Sequence, residues 1–148
     1  MKDYIFKTEM EVRDYECDIQ GIVNNANYLH YLEASRHKFI QSLGLSFKKL
    51  HDDGIDVVVS EIEIKYRTAL TGDDKFISCL NYYRDGIRMI FEQDIYRASD
   101  MKLSVKAKTS TVALINGTLS KGDEVEQLLN NARNGEKSFY NEQKKFIK

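Results

Sequence analysis

The stretch Tyr15-Glu16-Cys17-Asp18-Ile19-Gln20-Gly21-Ile22-Val23-Asn24-Asn25-Ala26-Asn27-Tyr28 holds the most concentrated chemistry of the chain. An acid, Asp18, sits in a polar loop; Gly21 lets the loop turn; and an asparagine-rich segment opens a long amphipathic helix. The first N–H groups of a helix have no intrahelical acceptor and lie at the positive end of its dipole, so they can hold an oxygen as it gains negative charge. A carboxylate near such donors can attack a carbonyl carbon, or draw a proton from water, while the N–H groups stabilise the oxyanion. The ordinary alternative for Asp18 is a turn or capping aspartate, and Asn24, Asn25 and Asn27 read on composition alone as loop and cap residues.

Other reactive side chains are weaker candidates. Glu33 and Arg36 stand at i and i+3 and most simply form a surface or interfacial ion pair. His30, Glu33 and His37 share one helical face, but that spacing is common and no fourth ligand is evident, so no metal is expected. Cys17 lies between Glu16 and Asp18, which disfavour its thiolate, and is read as a packing residue.

The elements that must position these groups follow from periodicity. Residues from about Lys7 to Arg13 alternate weakly and predict a first strand. Tyr28, Tyr31, Leu32, Ser35, Phe39 and Leu43 recur at spacings of three and four, a helical stripe that ends at Gly44. From Ile55 to Arg67 the period is two, with Ile62, Ile64 and Tyr66 on one side and Glu61, Glu63, Lys65 and Arg67 on the other, a half-buried strand. Three more runs follow, Lys75 to Arg84, Ile87 to Ala98 and Lys102 to Ile115, joined by tight turns at Asp85-Gly86 and Ser99-Asp100, so antiparallel neighbours are expected. In the last run Leu103, Val105, Ala107, Thr109, Thr111 and Ala113 face one way and Lys102, Lys106 and Lys108 the other. Asp123 is expected to cap a short helix carrying Val125, Leu128 and Leu129 and closed by Gly135; Phe139, Tyr140, Phe146 and Ile147 in the Lys-rich tail fit no element.

Composition sets the outer bounds. A chain of 148 residues forms one domain, and a net charge of −1 provides no basic field to gather nucleic acid. The N-terminal apolar run is too short for a signal peptide and no stretch is long enough to span a bilayer, so the expectation is a cytoplasmic protein. Two cysteines, Cys17 and Cys79, make no disulfide framework, and with no proline every turn falls to Gly, Asn and Asp.

The pattern Asp18-x-x-Gly21-x-Val23-x-Asn25-x-x-Tyr28, followed by Tyr31, Glu33 and Arg36, resembles the hotdog-fold acyl-CoA thioesterases of the 4-hydroxybenzoyl-CoA thioesterase type. The likeness covers roughly Thr8 to Ser120, including Ile64-x-Tyr66 leading to Gly72-Asp73; a proline often found after the position of Tyr66 is missing, with Ala69 nearby. The resemblance implies an α+β hotdog domain, a long central helix wrapped by an antiparallel sheet, with its core at about 8–120 and a C-terminal helix and tail at 121–148. It implies hydrolysis of an acyl-CoA thioester to a carboxylic acid and coenzyme A, with Asp18 as nucleophile or general base and the backbone N–H of Asn25 on the oxyanion. Gly21, Val23 and Tyr28 are the residues it places at the substrate, and Glu33 is the fallback acid, since a second hotdog subtype carries its carboxylate on a helix. Because a thiolate leaves readily, one carboxylate and oriented N–H groups suffice, and no cofactor is expected: coenzyme A is part of the substrate. Acyl-carrier-protein thioesters are the alternative substrate and a non-catalytic acyl-binding protein the alternative class; Tyr66, Arg67, Lys106 and Lys108 could meet coenzyme A phosphates but stay unassigned. A homodimer or homotetramer is expected, because an open sheet on one helix leaves edges to cover and the family site lies between two subunits.

Overall fold

A computed structural model gives the fold, and it describes residues 3–146, with side chains as far as Asn134. The order is β1 (Phe6–Glu11), a 3₁₀ turn (Asp14–Glu16), α1 (Asn25–Ser42), α2 (Phe47–Asp52), β2 (Ile55–Tyr66), β3 (Lys75–Asp85), β4 (Arg88–Arg97), β5 (Leu103–Ile115), β6 (Thr118–Leu119) and α3 (Asp123–Phe146). The strands form one antiparallel sheet in the order β1-β3-β4-β5-β2, with β6 paired to β5. This is the α+β hotdog arrangement. Because β1 and β2 lie on opposite edges of the sheet, the chain between them must cross its full width. Four strand spacings of about 4.8 Å are covered by α1, whose 18 residues extend about 27 Å.

The apolar stripe of α1 packs on the inner face of the sheet as its period requires. Tyr28, Tyr31 and Leu32 join Phe76, Ile95 and Val105 in one half of the core, and Phe39 and Ile40 join Leu80, Met89 and Phe91 in the other. The helix ends at Ser42, and Gly44 takes the left-handed φ of +78° that turns the chain away.

Four expectations need correction. First, β2 is half-buried only in part: Ile55, Val57 and Ile64 of its inner row pack against the core, but Val59, Ile62 and Tyr66 are 48%, 36% and 42% exposed, because β2 is an edge strand with no strand on its outer side among the described residues. Second, the wet face of β5 is only partly wet, since Ser104 and Ser110, on the same side as its lysines, are buried. Third, Asp123 does not cap α3: it is the first helical residue and accepts from Arg84 Nη1 at 2.6 Å, while Glu126 N–H bonds to Gly122 O. Fourth, Gly135 does not close that helix, which runs on to Phe146; an interior glycine costs only about 1 kcal/mol against alanine. Val125 and Leu129 dock α3 on the second half of the core, whereas the tail aromatics lie outside the described side chains. The sequence reading also missed α2, capped by Ser46 Oγ accepting from Lys49 N–H at 3.0 Å and anchored by buried Leu50.

Candidate active site

The loop carrying Asp18 is closed by its own backbone. Asp18 N–H bonds to Ile22 O at 2.8 Å, Gly21 N–H to Asp18 O at 2.9 Å, and Cys17 and Val23 form a bridge at its base. Gly21 holds φ at +81°, and a Cβ added there would meet no atom within 4 Å, so what the site demands at this position is backbone conformation rather than space. Asp18 is exposed. Its Oδ1 accepts from Gln20 N–H at 2.8 Å, the turn bond that an aspartate ahead of glycine favours, while its Oδ2 has no donor among the described residues. The turn role and a chemical role are therefore compatible: one oxygen fixes the side chain and the other is free.

The helix start lies against the base of this loop. Asn24 is the N-cap, with Oδ1 accepting from Ala26 N–H at 3.0 Å, and Asn24 N–H bonds to Glu16 O at 3.0 Å. Asn25, the first helical residue, has no acceptor for its N–H among the described residues. Its carbonyl receives the Tyr66 hydroxyl at 3.4 Å from the end of β2. Val23 N–H bonds to Leu70 O and Ile22 pairs with Thr71, so the loop also rests on the segment between β2 and β3. Gly72 permits that approach, since a Cβ there would stand 3.3 Å from Asp14 Oδ1.

The remaining sequence candidates separate. Val23 and Tyr28 are 2% and 3% exposed and belong to the core beneath the site. Glu33 lies two helical turns beyond Asn25, about 12 Å along the axis, and is exposed, 3.7 Å from His37. The expected ion pair between Glu33 and Arg36 is not formed. Arg36 turns inward instead, 7% exposed, and its Nη1 donates to Gln93 Oε1 at 3.0 Å and to Thr109 Oγ1 at 3.5 Å. Gln93 in turn donates to Leu32 O at 2.9 Å. The stem of Arg36 fills the space between helix and sheet, and burial lowers the pKa of its guanidinium. Sequence reasoning missed Gln93, although a glutamine in register between Phe91 and Ile95 on an apolar strand face was the available signal.

Cys17 is half-buried against the core, and burial, then Asp14, Asp18 and Glu16, raise its thiol pKa, which disfavours a thiolate nucleophile. Among the described residues no cluster of His, Cys, Asp and Glu could hold a metal ion, and no helix is long and apolar enough to cross a membrane. Along α1, one turn beyond Asn25, begins a groove of about 360 Å³ between the helix and β2, walled by Leu29, Phe47, Val59 and Ile62 with Glu33 and Arg36.

Comparison with known proteins gives a consistent picture. An acyl-acyl carrier protein thioesterase of the Arabidopsis thaliana chloroplast is 32% identical over 111 residues, 74% of this chain and 58% of that protein. This chain thus spans less than two thirds of that relative. A Bacillus subtilis protein provisionally named an acyl-CoA thioesterase is 30% identical over 112 residues, 75% of this chain and 80% of its own. A hypothetical protein from Aquifex aeolicus superposes with a TM-score of 0.76 at 28% identity, covering 84% of this chain and 97% of its own. The model of the thioesterase-like superfamily matches residues 12–132, nearly the whole sheet and its helix, and the chain belongs to that family.

Proposed function

We propose that this protein hydrolyses acyl-CoA thioesters. The observation that carries the reading is that Asp18, with one carboxylate oxygen unengaged, and Asn25 at the start of α1, with its N–H unengaged among the described residues, stand on two segments bonded to each other. Water, or Asp18 itself, adds to the thioester carbonyl carbon, and the carbonyl oxygen takes up the negative charge beside the Asn25 N–H. The C–S bond then breaks and coenzyme A leaves as a thiolate, which takes a proton from solvent. Where water is the nucleophile, Asp18 accepts its proton; where Asp18 attacks, water hydrolyses the resulting anhydride. The groove beyond Leu29 offers an apolar wall for the acyl group.

The carrier-protein thioester is the second reading, favoured by the name of the Arabidopsis relative. Lys65 and Lys106 stand directly opposite each other on the outer face of the sheet, a like-charge pair an acidic partner would relieve. Yet Glu63, Lys108 and Glu92 alternate in sign in the next row, so that face presents no continuous basic field, and we place coenzyme A first. The same reading makes the working unit a homodimer, in which a second copy covers the exposed edge of β2 and closes the groove. A panel of acyl-CoAs and acyl-carrier proteins, followed by release of free thiol, tests the function. Thiol release from acyl-CoAs at the higher kcat/KM is expected, and failure to hydrolyse any thioester contradicts it.

A further inference from the structure

Asp18 is exposed and, among the described residues, bonded only within its own turn, so its position relative to the Asn25 N–H is set by the segments that flank the turn, of which the one before it docks on α1. That docking converges on one residue, Glu16. Its backbone carbonyl accepts from Asn24 N–H at 3.0 Å and from Asn27 Nδ2 at 2.7 Å, and its carboxylate Oε1 accepts from the Tyr31 hydroxyl at 3.0 Å and from Arg13 N–H at 2.7 Å.

The arrangement departs from ordinary helix capping in an informative way. Asn27 occupies the third helical position, from which the Glu or Gln of a capping box reaches back to the N-cap N–H. Here that N–H is already taken by Glu16 O, and the capping side chain is Asn24. The Asn27 amide is thus not needed to cap the helix and is spent on the loop two residues before Asp18. Tyr31 supports the same point from one turn further on. Burial and the Glu16 carboxylate push its phenol far above the ordinary range, so it stays a donor at every working pH.

We propose that Asn27 is a positioning residue which, through Glu16 and with Tyr31, fixes the carboxylate of Asp18 against the oxyanion donor at Asn25. The inference rests on the hydrolase reading above. A misplacement of about 1 Å in a reacting group costs on the order of 10²-fold in rate, whereas substrate contacts made elsewhere are untouched.

The test is Asn27→Asp, which keeps the shape but removes both donors. An acidic residue in the first turn is favourable to the helix dipole, so the fold is expected to hold. The expected result is a fall in kcat of about 10- to 100-fold with KM changed less than about threefold. In an Asp18→Asn background the same change is expected to cost almost nothing, because there is then no carboxylate to aim. Asn27→Gln, which retains the donor on a longer arm, should recover part of the rate. Should Asn27→Asp fail to fold, Tyr31→Phe carries the same kcat and double-variant test from the other side of Glu16. Unchanged kcat in these variants, or losses that simply multiply with that of Asp18→Asn, would overturn the positioning role. If instead Asp18→Asn alone leaves hydrolysis intact, it is the assignment of Asp18 that fails.

Discussion

The Tyr28 hydroxyl receives the N–H of Leu70 at 3.0 Å inside the core, binding the first turn of α1 to the segment that leaves β2. Both residues lie under the candidate site, and the bond gives the buried Leu70 N–H its partner. Tyr28→Phe leaves that donor unpaired and is expected to cost about 1–3 kcal/mol of stability. Denaturant unfolding measures this; kcat of the folded variant is expected to stay within a few fold, since the hydroxyl faces Leu70 and not the Asp18 loop.

Arg36→Ala removes a buried stem as well as a donor, and leaves Gln93 Oε1 without its guanidinium partner. A loss of about 2–5 kcal/mol is expected from cavity and orphaned acceptor together. Thermal unfolding of Arg36→Ala and of Glu33→Ala makes the comparison: exposed Glu33 should cost less than about 1 kcal/mol. Equal losses would restore the surface ion pair.

Acid stability has a local signature at the β4–β5 turn, where Arg97 grips Asp100 through Nε and Nη2 and holds its carboxyl down to about 2. The folded value lies below the unfolded one of about 3.9, so the contribution is present above about pH 4 and disappears as the pH falls towards 2. Asp100→Asn is expected to melt earlier than wild type at pH 7 and together with it near pH 2. A constant gap across that range contradicts the linkage.

The bare edge of β2, with Val59 and Ile62 exposed, predicts self-association at micromolar concentration. Ile62→Lys is expected to shift light scattering towards the 17.2 kDa single chain and to lower activity with it. A wild-type chain that is monomeric and fully active removes the shared site.

The elements legible in the sequence were those where one periodicity was uncontested. The stripe from Tyr28 to Phe39 gave α1, and Asp85-Gly86 gave the β3–β4 hairpin, because local pattern and tertiary packing agree there. The loop acid and helix start also emerged, since Asp18, Gly21 and Asn24 are each suited to their local backbone. What stayed hidden depended on burial set at long range. Arg36 reads as a surface residue beside Glu33 until the sheet brings Gln93 and Thr109 beneath it, 57 and 73 residues away. Alternation in β2 shows which residues share a face but not that the strand would lie at an edge. Likewise nothing at Glu16 indicated that its carbonyl would join two parts of the site.

The most direct measurement is the kcat of Asp18→Asn on the best acyl-CoA substrate, with Glu33→Gln as the paired control. The amide keeps the shape and the turn bond to Gln20 N–H while deleting the charge that attacks the carbonyl or activates water. A fall in kcat of about 10²- to 10⁴-fold is expected, with KM nearly unchanged, because the Asn25 donor and the groove are untouched. Glu33→Gln, on the helix surface beside His37, is expected to stay within a few fold of wild type. Near wild-type turnover in Asp18→Asn with activity abolished in Glu33→Gln would contradict the assignment and move the reacting carboxylate onto the helix.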